Sequence, residues 1–158
     1  MRRYLAILAL VAAACVLAGC ERMRLHEARV GLEATVAGLP NLDDFSQVTL
    51  ISDRALDEVF AGECYYTQAI VVFGTSLSAQ DALTAYVDAL LLEGWISEQD
   101  LYVREKVLHR GKHERAVVYV GPPGPMVELD ADYQAVKSAF PTFLVVIVDF
   151  ILPATEDC

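Results

Sequence analysis

The sequence predicts an α+β domain built as a two-layer sandwich, with about five mostly antiparallel strands and helices packed on one face of the sheet. β-branched apolar runs recur between short segments rich in Gly and Pro, which is typical of strands. Two segments with helical spacing lie among these runs and give the order β-β-α-β-β-α-β. We interpret this order as one sheet that buries its apolar side under helices.

The first two strands differ in character. Residues 47–51 are rich in β-branched side chains and predict a strand at the edge of the sheet. Residues 64–73 are apolar on both faces in their second half, which indicates a central strand, and Gly74 ends it.

A well-defined helix follows the second strand. Ser78 and Asp81, three residues apart, match a capping box, and apolar residues recur at helical spacing over residues 83–91. Gly94 and Trp95 then predict a Schellman end, in which the glycine is left-handed and the tryptophan folds back on the helix. We therefore interpret the single tryptophan as an anchor for the helix end and not as a ligand platform.

The rest of the chain predicts a hairpin, a second helix and a final strand. The hairpin arms lie within residues 96–108 and 116–120, and the charged turn between them contains Gly111. Helical spacing covers residues 129–140, and a proline ends that segment. Residues 142–152 form an apolar run that predicts the last strand.

The first twenty residues have the layout of an export signal. Arg2 and Arg3 precede an uncharged apolar stretch that is shorter than the roughly 20 residues of a membrane span. The Leu-Ala-Gly-Cys sequence that ends at Cys20 resembles the lipobox of bacterial lipoprotein precursors. That resemblance implies cleavage before Cys20, a lipid thioether on its sulfur and acylation of the new N-terminus, with palmitate expected. A spanning helix and an unlipidated secreted protein are the alternatives.

These features divide the chain into three parts. We predict a lipoprotein signal peptide over residues 1–19, a lipidated N-terminus and tether over residues 20–42, and a single α+β domain over residues 43–158. Residues 21–40 mix charges with scattered apolar side chains, which fits either a tether or a short helix. The expected location is the extracytoplasmic face of a bacterial membrane, and the sequence does not distinguish the inner from the outer membrane.

Cysteine usage agrees with export. Cys15 would leave with the signal and Cys20 would carry lipid, so Cys64 and Cys158 are the remaining pair. In an oxidising compartment we expect these two thiols to form a disulfide. If the strand that begins at Cys64 and the last strand are antiparallel neighbours, the start of one lies beside the end of the other, which brings the two cysteines together. Two unconnected thiols are the alternative.

The charge of the chain excludes one class of partner. The formal net charge is −10 at pH 7, and removal of a signal containing two arginines and no acid makes it more negative. Binding to nucleic acid phosphates needs a basic patch, so we expect no nucleic acid partner.

Three side chains in the hairpin have the composition of a metal site. His109 and His113 are four residues apart, and Glu114 follows them. Because Gly111 places a turn between the histidines, we favour a solvated hairpin tip over a shared coordination sphere.

An acidic run near the second helix has a similar ambiguity. Glu128, Asp130 and Asp132 alternate as in an oxygen-rich cation loop, but the EF-hand pattern is absent. Helix N-capping explains these acids more simply. No phosphate loop or nucleophile motif occurs, so we expect no catalytic residue, metal or cofactor.

The mature domain loosely resembles small exported bacterial lipoproteins of unassigned function, on the basis of the lipobox, the capped helix ending in Gly94 and Trp95, and the hairpin after it. We predict a lipid-anchored envelope protein that acts as a non-catalytic binding or structural accessory. Its membrane partner would be reached through Cys20, and an envelope protein would bind the exposed sheet face or an unpaired edge. The alternative is an envelope hydrolase or metal-dependent enzyme. A solute-binding lipoprotein is disfavoured because a chain of 158 residues is too short for a two-lobed cleft.

Overall fold

The computed structural model describes residues 23–54, 64–98 and 104–153. The predicted signal, Cys20 and Cys158 lie outside these ranges. In chain order the helices and strands are α1 (residues 23–37), β1 (Phe45–Arg54), β2 (Cys64–Thr75), α2 (Ala79–Leu92), β3 (Ile96–Ser97), β4 (Glu105–Arg110), β5 (Glu114–Val120), α3 (Pro125–Glu128), α4 (Ala131–Val136) and β6 (Thr142–Pro153).

The strands form one six-stranded antiparallel sheet in the order β1-β2-β6-β5-β4-β3. β2 and β6 pair along their whole length, from Cys64 opposite Pro153 to Thr75 opposite Thr142. The predicted α+β class, the edge position of the first strand and the central position of the second are confirmed. The sixth strand is β3, whose two residues are too few to give a periodic signal in the sequence.

The predicted ends of α2 are confirmed. The Ser78 hydroxyl accepts a hydrogen bond from the Asp81 amide at 3.2 Å and donates to the Asp81 carboxylate at 2.6 Å. At the other end Gly94 has φ +86°, and the Trp95 amide donates to the Leu90 carbonyl at 3.1 Å. These are the bonds of a Schellman motif, and they bury the Trp95 side chain to 2 % exposure.

Helices α1 and α2 cover one side of the sheet, which we call the front face. Each fully buried valine or leucine side chain there would contribute roughly 1.5–3 kcal/mol of transfer free energy. The buried cluster takes residues from five strands, from both helices and from the end of α2. They are Phe45, Ala69, Val71, Phe73, Leu108, Ala116, Val118, Leu144, Val146 and Val148 from the sheet, Leu32, Ala82, Leu83, Tyr86, Val87 and Leu90 from the helices, and Trp95.

The opposite side, the back face, is partly covered by α3 and α4. Val127 and Tyr133 bury Val72 and Val145, and the Tyr133 ring lies 5.3 Å from that of Phe143. Helices therefore lie on both faces, whereas the sequence suggested one. The physical reason is that β2 and β6 carry apolar side chains on both sides, so each face needs cover.

The helix predicted over residues 129–140 is instead two short helices. Asp130 interrupts it because its carboxylate accepts hydrogen bonds from the Asp132 and Tyr133 amides, each at 3.0 Å, and so caps α4. Pro125 opens α3 at a position where its missing N–H costs nothing.

The N-terminal segment also differs from its predicted boundary. Residues 23–37 form α1, and Ala28, Leu32 and Thr35 are buried to 0 %, 5 % and 1 % exposure. The domain therefore includes residues from 23 onward, and most of the predicted tether is helix packed on the sheet. Among the described residues no helix is both long and apolar enough to span a bilayer.

Candidate functional site

Helix α1 is held on the sheet by hydrogen bonds to distant strands. The Thr67 hydroxyl of β2 donates to the Ala28 carbonyl at 3.3 Å. The Thr35 hydroxyl donates to Glu114 Oε1 of β5 at 2.7 Å. Because both threonines are 1 % exposed, these bonds satisfy polar groups that would otherwise be buried without partners. They fix the position of α1 across the front face.

Glu114 connects this helix to the hairpin. Its carboxylate accepts two hydrogen bonds from Arg110, at 2.6 Å from Nε and 2.9 Å from Nη2, and the Arg110 guanidinium lies 4.9 Å from the centre of the Trp95 ring. Hydrogen bonding from Arg110 is the main cause that lowers the pKa of Glu114, with a smaller contribution from Thr35. The bidentate pair therefore joins α1, β5 and the end of α2.

A cleft of about 620 Å³ separates the second half of α1 from the edge of the sheet. This volume lies within the roughly 300–1,000 Å³ typical of small-ligand sites. α1 and the loop after it form one wall, β1 forms the other, and β2 forms the floor. The apolar lining consists of Leu32, Val36, Ala37, Leu39, Pro40, Leu50, Val71 and Phe73.

A β-bulge in β1 directs two side chains into this α1–β1 cleft. Gln47 pairs with Phe73 and Leu50 pairs with Val71, and the register shifts between Gln47 and Thr49. In a regular strand, positions three apart point to opposite faces, but the extra residue of the bulge brings both to the cleft side. Leu50 is 41 % exposed, so an apolar rim is open to solvent.

The floor of the cleft is supported by an aromatic cluster. The Phe73 ring lies 6.3 Å from Phe45 and 5.1 Å from Tyr86 of α2, in edge and tilted arrangements that are favourable for aromatic pairs. A ligand would therefore contact a preformed surface. Burial raises the pKa of the Tyr86 hydroxyl far above its usual range, so this group stays neutral.

The ionisable group in the lining of the cleft is acidic. Glu33, Asn41 and Gln47 are its polar lining residues, and among the described residues that line it Glu33 alone is ionisable. Asp43 and Asp44 follow in the same loop and are exposed. The site offers apolar area with an acidic margin, which suits binding better than acid–base or metal chemistry, since those need several convergent polar groups.

The predicted cysteine sites are only partly within the described chain. Cys64 begins β2 and pairs with Pro153 of β6, so the predicted antiparallel neighbours are confirmed. Cys158 follows Pro153 by five residues and lies outside the described residues, as does Cys20. The disulfide and the lipidation stay predictions.

The hairpin residues do not converge on a common point. His109 pairs with Arg115 on the back-face side of β4, whereas Glu114 points to the front face and binds Arg110. His113 lies in the turn, with Nδ1 2.8 Å from the Ile151 carbonyl. Within the described ranges no group of three His, Cys, Asp or Glu side chains is placed to hold a metal ion.

The acidic run is likewise spread along two helices. Asp130 caps α4, and its pKa is lowered mainly by the hydrogen bond from the Tyr133 amide. Glu128 lies at the end of α3 and Asp132 in the first turn of α4. The predicted N-capping function is confirmed for Asp130.

A polar row on the back face was missed from the sequence. Asp149 of β6 is 1 % exposed and accepts hydrogen bonds from Gln68 at 2.9 Å and Arg115 at 3.0 Å. The three residues are cross-strand neighbours on β2, β6 and β5. These two hydrogen bonds compensate the buried Asp149 carboxylate, which explains how its charge is tolerated in the centre of the sheet.

The α1–β1 cleft was also missed, although its helix had a weak sequence signal. Ala28, Leu32, Thr35 and Leu39 recur at helical spacing, but the charges between them obscure the stripe. A search of protein-family models, curated proteins and solved structures found no match to this chain.

Proposed function

We propose that this protein is a lipoprotein held at the extracytoplasmic side of a bacterial membrane through Cys20, and that its domain binds a partner in the α1–β1 cleft without catalysis. The observation that carries the binding role is the cleft itself, with apolar walls, a supported aromatic floor and one ionisable lining residue among those described. The anchor rests on the lipobox resemblance.

The docking of α1 supports a close approach of the domain to the membrane. Glu21 and Arg22 alone separate Cys20 from Met23, the first described residue of α1. Consecutive Cα atoms are about 3.8 Å apart, so a lipid-bearing Cys20 would hold the helix within about 11 Å of the anchor. Two or more acyl chains would make that attachment stable, because each buried CH₂ contributes about 0.8 kcal/mol.

The anchor is tested by the intact mass of protein extracted from membranes. We expect loss of residues 1–19, an added lipid mass, and a gain of two hydrogens on reduction if Cys64 and Cys158 are bridged. Cys20→Ser should release the protein from membranes or leave it unprocessed. Normal processing and unchanged fractionation of Cys20→Ser would refute the lipid anchor.

The binding role is tested with an uncharged apolar fluorophore, N-phenyl-1-naphthylamine. We expect saturable emission enhancement with the mature protein, and weaker binding to Leu50→Asn. Leu91→Asn is the matched control, because Leu91 is 42 % exposed, against 41 % for Leu50, but lies on α2 away from the cleft lining. Equal loss in both variants, or no saturable binding at all, would refute the cleft as a ligand site.

A further inference from the structure

The cleft lies beside the outermost strand of the sheet on the β1 side. β1 is the outermost strand of the sheet and pairs with β2 on its inner side. Within the described residues no strand pairs with its outer side, so the backbone groups there are available to an added strand. Such an edge is a template for an extended peptide, which gains main-chain hydrogen bonds from it.

An added strand would place its side chains in the cleft. Neighbouring strands lie about 4.8 Å apart and share one pleat, so alternate side chains of a seventh strand would point to the front face next to Leu50 and Gln47. That space is the cleft, bounded on its other side by Val36 and Leu39. The edge would supply hydrogen bonds and the cleft would supply apolar contacts for every second residue.

The irregularities of β1 restrict what can pair with it. Register shifts between Gln47 and Thr49 and between Ser52 and Arg54 leave a regular stretch over residues 49–52. A bulge interrupts the regular hydrogen-bonding pattern of an edge strand, so an added strand can pair only with the regular stretch between the two bulges. The partner segment is therefore short.

Charge selects the chemistry of that segment. Glu33 lies in the cleft wall, and Asp43 and Asp44 are exposed in the loop that leads into β1. The whole chain carries a formal net charge of −10. A segment with basic flanking residues is attracted to this margin, whereas a second copy of this acidic chain meets like charges.

We infer that the α1–β1 cleft and the outer edge of β1 together bind an extended segment of a partner protein, with apolar residues at alternate positions and basic residues at its ends. This inference rests on the proposed binding role of the cleft and names its partner class. It does not depend on the lipid anchor.

The experiment uses the mature protein in detergent and a short synthetic peptide with valine alternating with threonine between terminal lysines. We expect peptide binding to displace N-phenyl-1-naphthylamine and to slow amide hydrogen exchange in β1. Leu50→Asn should weaken binding about tenfold and Leu91→Asn should leave it unchanged. Glu33→Gln should weaken it up to about fivefold, with the effect lost at high salt.

Two control peptides separate the edge from the cleft. A peptide methylated on alternate backbone nitrogens should lose binding, because it cannot pair with β1, and a peptide with terminal glutamates should bind more weakly than the lysine peptide.

Displacement of the fluorophore without protection of β1 amides would overturn the strand inference and leave the cleft as a small-ligand site. Protection of β1 that rises with protein concentration alone would replace the partner by a second copy of this chain. Absence of any fluorophore binding would instead refute the proposed function.

Discussion

Gly31→Ala distinguishes a docked α1 from a loose tether by the sign of its effect on stability. In a solvent-exposed helix, alanine is favoured over glycine by about 1 kcal/mol, so a loose segment would be unaffected or gain helicity. In the structure, a Cβ at Gly31 would overlap the ring of Phe150 on β6. The same substitution should therefore destabilise the protein if α1 is packed as described.

The magnitude follows from two opposing contributions. Overpacking a filled interface costs about 1–3 kcal/mol, and the helix propensity of alanine offsets up to about 1 kcal/mol of that cost. Phe150 has limited room to move. Its ring lies 6.0 Å from that of His113, and its backbone is held between two neighbouring strands, opposite Thr67 on β2 and Glu114 on β5. We expect a net loss of about 1–2 kcal/mol, or about 3–8 °C in Tm for a domain of this size.

Chemical denaturation of the mature protein measures this change. Gly121→Ala is the matched control, because a Cβ there meets no atom within 4 Å and its φ is not positive. Phe150→Leu in the Gly31→Ala background should cost less than Phe150→Leu alone, since the smaller side chain relieves the overlap. A neutral or stabilising Gly31→Ala, or an additive double mutant, would refute the docking of α1.

Three further substitutions test local features. Glu114→Gln should lose about 1–2 kcal/mol at pH 7 by weakening the bond to Arg110. The pKa of Glu114 is lowered in the folded state. The stability difference between the two proteins should therefore be fully present above the ordinary pKa of 4.5 and should disappear as the pH falls through the pKa of the folded state. Urea titrations at several pH values measure this difference. Gly94→Val should lose about 1–2 kcal/mol by calorimetry, because Gly94 has φ +86°. Tyr86→Phe should stabilise the domain by about 0.5–1 kcal/mol in thermal melts, because the buried hydroxyl has no hydrogen-bond partner among the described residues.

Each of these expectations has a contrary result. A Glu114→Gln difference that stays constant throughout the acid titration would show that its stabilisation does not come from the carboxylate charge. A neutral Gly94→Val would contradict the Schellman end of α2. A loss of stability in Tyr86→Phe would mean that the hydroxyl has a polar partner after all.

Local signals predicted much of the fold. The central position of β2 and the capped ends of α2 follow from residues that are neighbours in sequence, such as Ser78 with Asp81 and Leu90 with Trp95. The helix break at Asp130 was harder to predict from the sequence. An aspartate within a helical pattern can lie on the surface of one continuous helix or cap a new helix, and only the local backbone conformation decides between the two.

Periodicity and capping depend on residues a few positions apart, so they were enough to predict the fold class, five of the six described strands and the ends of α2. The packing of α1 against the domain, the helices on both faces of the sheet and the cleft beside β1 became visible in the three-dimensional fold alone. These features depend on contacts such as Thr35 with Glu114, 79 positions apart in the chain. A single sequence contains no periodic signal for such pairs, because their meeting depends on how the whole sheet is assembled.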